Sequence, residues 1–224
     1  WSLVARLGGP REQGLALDLA LEAVSHETPE VAELLNVLAD AAADDRAPAS
    51  ALQVVPLLDG PTSPIRVAAA RLCGCWQISA AQPRLLVIAA DPKRPQAERH
   101  AAAAALLEID ELSATAELAQ LASHHAAVPV RTTAMAAWAA HNPADAKHAA
   151  VDLLSTSSNS DDPTLILEAF INHRDGPEIL AQALAGQMLP PAVASIGVRL
   201  ADESGRDLSA LVGELIRAGS LPPL

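Results

Sequence analysis

Apolar residues in this chain recur at helical spacing, in a phrase that returns every 31 to 34 residues. In residues 64–78, Ile65, Ala68, Ala69, Leu72, Cys73 and Trp76 fall at i, i+3, i+4, i+7, i+8 and i+11. That spacing draws one continuous stripe down a helix. Ala101, Ala102, Ala105, Leu106 and Ile109 hold the same register one repeat later, and Val130, Thr133, Ala134, Ala137 and Trp138 hold it again. Cys73, Leu106 and Trp138 therefore occupy one equivalent position inside the fold. Trp76, Leu106 and Trp138 are the expected core anchors.

Polar punctuation marks where these helices begin. Thr28-Pro29, Ser63-Pro64, Asn142-Pro143 and Asp162-Pro163 each set a capping residue before a proline. Proline suits the first helical position, because its missing N–H would be unpaired there in any case. The pattern predicts helix pairs 10–25 with 29–43, 48–58 with 64–78, and 82–90 with 96–109. It continues with 112–123 and 129–140, 143–155 and 163–173, 177–187 and 191–203, then a closing helix over 205–218. The polar run 155–162 reads as a long loop. The segment 219–224, Gly-Ser-Leu-Pro-Pro-Leu, is expected to act as a linker leading to a following domain.

The repeated phrase has a fixed layout. An apolar run, Val54 to Leu58, is followed by Asp59 and then by Pro64-Ile65-Arg66-Val67-Ala68-Ala69-Ala70. Arg66, Arg99 and Arg131 lie 33 and 32 residues apart, and Asp59 and Asp91 lie 32 apart. A fixed period of this length is the signature of stacked repeats. The layout resembles HEAT repeats. That resemblance implies an all-α, right-handed α-solenoid of HEAT-like helix pairs, expected as a single domain over residues 1–218. It also implies a ladder of loop aspartates and second-helix arginines between neighbouring repeats, carried by Asp59, Asp91, Arg66, Arg99 and Arg131. Leu165 stands where the next arginine is expected, so the ladder should stop near the fourth pair.

Composition strengthens the helical reading. The 224 residues include 49 alanines and 33 leucines, no tyrosine and one phenylalanine. This bias favours helix and disfavours sheet. A formal charge of −12 argues against nucleic acid and against an anionic membrane surface, both of which call for basic patches. No apolar run approaches the length of a membrane span. Cys73 and Cys75 lie two apart, on opposite sides of a helix, so a disulfide between them is not expected. The first residue is Trp1 rather than methionine, which is the expected mark of a piece of a longer protein.

Candidate chemistry is sparse. His124, His125, His141 and His148 invite a metal, but the adjacent pair His124-His125 points in different directions. The simpler reading is solvated loop and helix-end histidines, and no metal or cofactor is expected. Trp76 and Trp138 could anchor a ligand, yet their place in the stripe makes them core. Arg66, Arg99 and Arg131 could receive an acidic partner, or could pair with loop aspartates and backbone within the stack, the simpler account. HEAT-like alkylpurine glycosylases would want a basic, aromatic-lined groove, which this chain lacks. Nothing in the sequence assembles the acid constellation of a bilin lyase.

The alanine-rich copies, Ala201-Asp202-Glu203, the closing helix from Asp207 to Ala218 and the tail 219–224 support a narrower resemblance. They are similar to the helical middle section of the PVC-type haem-binding, membrane-bound dehydrogenases of planctomycete-like bacteria. In that family a dehydrogenase-like β-propeller precedes the helical section and a c-type cytochrome domain follows. The resemblance implies a non-catalytic spacer and docking scaffold whose partners are flanking domains or another protein. It implies a periplasmic or exported protein, monomeric as a fragment. The alternative is a free-standing protein- or peptide-binding scaffold.

Overall fold

The structure, a computed structural model, describes residues 8–24, 29–42, 47–123, 126–157 and 162–222. Among the described residues the regular elements are all helical, with no strand. The chain divides into two compact units, residues 1–117 and 118–224.

The first unit contains α1 (Pro10–Val24), α2 (Pro29–Ala41), a 3₁₀ helix (Ala51–Asp59) and α3 (Ser63–Cys75). A short 3₁₀ turn (Ser79–Ala81) then leads into α4 (Gln82–Ala90) and α5 (Gln96–Ile109). Packing is sequential: α1 lies on α2, the 3₁₀ helix on α3, and α4 on α5. The second members stack in turn, α2 on α3 and α3 on α5. The 3₁₀ helix replaces the α-helix expected at 48–58. Pro56 lies within it; a proline there has no N–H to give an α-helical ladder, and its ring would crowd the carbonyl four residues back.

Helix α6 (Glu111–Leu121) begins in the first unit and ends in the second, which continues with α7 (Val128–His141) and α8 (Pro143–Ser155). Then come α9 (Thr164–Asn172), α10 (Gly176–Leu184), α11 (Pro191–Glu203) and α12 (Ser209–Ala218). Here the pairing differs from the expected one. The close pairs are α7 with α8, α9 with α10, and α11 with α12, so 143–155 and 163–173 belong to different pairs, as do 177–187 and 191–203. Connector length explains the shift. Asn142 alone joins α7 to α8, and residues 173–175 and 204–208 join the other two pairs, whereas the longer stretches 156–163 and 185–190 run between pairs. A short connection holds consecutive helices side by side. The odd helices stack as α7–α9–α11 and the even ones as α8–α10–α12.

Starts and stops also move. The N-cap of α3 is Thr62 rather than Ser63, and α9 opens after Pro163, with Asp162 accepting from the Thr164 N–H at 3.0 Å. Asn142 does cap α8, its side chain accepting from the Asp145 N–H at 3.2 Å. Helix α3 stops at Cys75, before Gln77 takes a φ of +50°. Thr28 and Trp1 lie outside the described residues.

The stripe residues form the core except Ile109, which is only half-buried at the end of α5. Ile65, Ala68, Ala69, Leu72 and Cys73 of α3 are buried, as are Ala101, Ala102, Ala105 and Leu106 of α5. In the second unit Val130, Thr133, Ala134, Ala137 and Trp138 of α7 are buried. Small residues permit close helix contact. A Cβ on Gly74 would sit 2.9 Å from the Ala105 Cα and would collide with the Glu108 carboxylate. Van der Waals contact over many alanines thus replaces the few large side chains of an ordinary core.

Candidate functional site: arginines at the repeat joints

Asp59, the last residue of the 3₁₀ helix, is clasped by two arginines from the following pair. Arg84 donates from Nε at 2.8 Å and also from Nη2, and Arg94 donates from Nη2 at 2.9 Å. Arg94 turns its Nη1 to Glu98 at 3.1 Å. Glu98 also accepts from Arg66 Nη2 at 2.7 Å, and Arg66 Nη1 reaches the Gly60 carbonyl at 2.7 Å. The chain Arg84–Asp59–Arg94–Glu98–Arg66 therefore sews the 3₁₀ helix and α3 to α4 and α5.

Burial and charge cooperate here. The Glu98 side chain is 1% exposed. Burial by itself would raise its carboxyl, but hydrogen bonds from Arg66, Ser63 and Arg94 outweigh that and hold it below its ordinary range. The hydrogen bond from Arg84 leads those holding the Asp59 carboxyl down, against a smaller upward push from burial. A carboxylate taken out of water is tolerated only when paired and hydrogen-bonded in this way.

Two of the five ladder residues, Asp59 and Arg66, bond to groups outside the expected ladder. Asp59 is held by Arg84 and Arg94, while Arg66 takes Glu98 and a carbonyl. Asp91 accepts from the Lys93 N–H at 2.9 Å. Arg99 is buried and donates to the Arg94 carbonyl, and burial lowers its pKa against the pull of Asp91. Arg131 is half-buried on α7. Sequence reasoning missed Arg84, Arg94 and Glu98.

Arginine joints also appear beyond Leu165. Arg206 donates to the carbonyls of Ile171 at 2.5 Å, His173 at 3.2 Å and Arg174 at 3.0 Å, closing the end of α9. Arg217 does the same for α10, reaching Leu184 O at 2.5 Å and Gln187 O at 3.3 Å. The last carbonyls of a helix have no intrahelical partner, and a guanidinium can take two or three at once. The available signal was an arginine about one repeat after a helix end.

Trp76 and Trp138 are buried, and neither indole N–H has an acceptor. Cys73 and Cys75 are free thiols. Burial pushes Cys73 up to about 12, and burial followed by the Glu108 charge raises Cys75. His141 and His148 are exposed, and no group of three metal-binding side chains converges among the described residues. His124 and His125 lie outside them. No helix among the described residues is long and apolar enough to cross a membrane. At the C-terminal pair, α11, α12 and residues 221–222 bound a groove of about 720 Å³ whose walls include Val198, Val212, Ile216 and Leu221.

Fold and site together define an all-α protein of helices packed in sequential pairs. No protein-family model matches the chain, and no curated protein matches it.

Proposed function

We propose that this chain is a non-catalytic spacer and docking scaffold, each unit a stretch of right-handed HEAT-like solenoid. In this reading it belongs to a larger, exported redox protein whose dehydrogenase-like and c-type haem domains lie outside these residues. The scaffold part is carried by one observation. Arg66, Arg84, Arg94 and Arg217 are each spent on fastening segments about one repeat apart or less. Catalytic sites instead aim such groups into a cleft, with pKa values tuned for reaction. The mechanism is geometric: stacked pairs that touch their neighbours hold flanking domains at a set distance and offer them a surface.

The redox assignment rests on the sequence resemblance alone. Its test is the visible absorption spectrum of the natural full-length protein produced with haem-maturation machinery. A c-type Soret band is expected. A colourless full-length protein sinks the redox setting and returns the chain to a free-standing protein-binding scaffold, to be checked by affinity capture.

A further inference from the structure

In the first unit α4 and α6 leave a cleft of about 300 Å³ between them. Leu86 of α4, Leu106 of α5 and Ala114 of α6 supply its apolar wall, and Gln82, Ser113 and Glu117 its polar wall. Leu106 and Ala114 are core residues, so the cleft reaches the core rather than resting on the surface. Two large apolar side chains stand beside it in the open. Val87, 54% exposed, follows Leu86 in sequence, and Leu112, 88% exposed, precedes Ser113. One exposed apolar residue is ordinary, whereas two that flank a cleft mark a place where another surface settles.

Charge decides what fits. Glu117 is the charged residue of the lining, which holds no lysine or arginine. Among the described residues no hydrogen bond or ion pair engages the Glu117 carboxylate. Arg84, the cation on α4, is already held by Asp59 and so does not answer it. Asp110 and Glu111, at the start of α6, add negative charge close by in sequence. An unanswered carboxylate beside an apolar cleft selects a cation next to an apolar group. Size narrows the choice further. The cleft is at the small end of ligand pockets and suits one large side chain, while Val87 and Leu112 carry the apolar surface beyond it. An occupant that covers them is longer than a small molecule cut to the cleft.

We infer that the cleft docks a peptide segment of a partner protein, one that carries an aromatic or leucine side chain beside an arginine or lysine. The apolar side chain enters between α4 and α6, the cation pairs with Glu117, and Gln82 and Ser113 offer hydrogen bonds to the peptide backbone. Such a pairing of a buried anchor with a charge at its side is a recurrent form of peptide recognition. The inference rests on the docking part of the proposed function and not on its redox part.

Peptide selection on the whole chain tests it. A phage-displayed library of random dodecapeptides is panned on the purified protein, and an enriched peptide is synthesised with a fluorophore and titrated by anisotropy. Enriched sequences should share the apolar–basic pair. Ser113→Phe fills the cleft from an exposed position, and Glu117→Gln removes the charge while keeping the shape. Each should weaken binding at least about tenfold. Added salt should weaken binding to the natural chain more than to Glu117→Gln. Met188→Ser, at an exposed apolar position in the second unit, should leave affinity unchanged. If thermal melts show that Ser113→Phe is not folded, Leu112→Ser, at a more exposed site, takes its place with the same expectation. A library that yields no binder, binders without a cation, or binding indifferent to these variants overturns the inference. So does self-association of the chain that the same variants abolish, which would assign the cleft to a second copy. A spacer needs no peptide and the absorption spectrum does not depend on one, so the two readings fail separately.

Discussion

Arg66 and Glu98 stand 32 residues apart in sequence and meet at 2.7 Å, joining the second helices of successive pairs through a carboxylate withdrawn from water. Glu98 is also bonded to Arg94, so its loss would leave two guanidinium groups without their shared partner. Glu98→Ala should cost about 3 kcal/mol, since breaking a buried pair strands the opposite charge. Urea denaturation of the purified protein measures this; a loss below about 0.5 kcal/mol would mean the pair is solvated.

Acid should loosen the same joint. The folded-state pKa values of Glu98 and Asp59 lie below their ordinary values, Glu98 because its arginine bonds outweigh burial and Asp59 chiefly through Arg84. The unfolded chain therefore binds more protons through the carboxylate range, and stability rises with pH there. The contribution is complete above about pH 5 and is lost as pH falls through the folded-state values. The melting temperature should fall on acidification, and Glu98→Gln should flatten that slope. An unchanged slope in the variant would remove Glu98 from the effect.

Two glycines should respond with opposite signs. In α12, Gly213 has open space around a would-be Cβ, so Gly213→Ala should stabilise by up to about 1 kcal/mol through helix propensity. In α3, Gly74 has none, with the Ala105 backbone 2.9 Å from that position. Overpacking there should outweigh propensity, and Gly74→Ala should destabilise by about 1–2 kcal/mol. Thermal melts of the two variants decide; gain in both would show that α3 and α5 are not in close contact.

Trp138 should tolerate loss of its N–H but not of its bulk. The ring is 8% exposed and its indole nitrogen has no acceptor. Trp138→Ala should cost about 3–5 kcal/mol, whereas Trp138→Phe should cost less than about 1.5 kcal/mol, because no hydrogen bond is broken. Comparable losses in both variants would indicate a hydrogen bond at the indole.

Arg206 should resist even a conservative exchange. It gives three carbonyls at the end of α9 their donors, in a fork that an ammonium cannot copy. Arg206→Lys should cost about 1–2 kcal/mol and speed amide exchange at 171–174. Unchanged exchange there would show that the cap is not formed in solution.

Local signals along the chain were enough to give most of the helices and their buried faces, although not the 3₁₀ form of Ala51–Asp59. A 3.6-residue period and an Asn-Pro start are local signals, so the stripe in 64–76, the inward Trp138 and the Asn142 cap were legible without a fold. Which side chains meet depended on how the helices pack. Arginines spaced 33 and 32 apart revealed a repeat, but not that Arg66 would turn to Glu98 or that Asp59 would be held by Arg84 and Arg94. A long guanidinium chooses among several acceptors within reach, and that choice depends on how closely the alanine-lined helices approach. The pairing of α7 with α8 was set by the single residue between them, and an exact helix end is fixed by packing more than by propensity. The open groove on α11 and α12 has no local signature at all, because exposure is a property of what lies alongside.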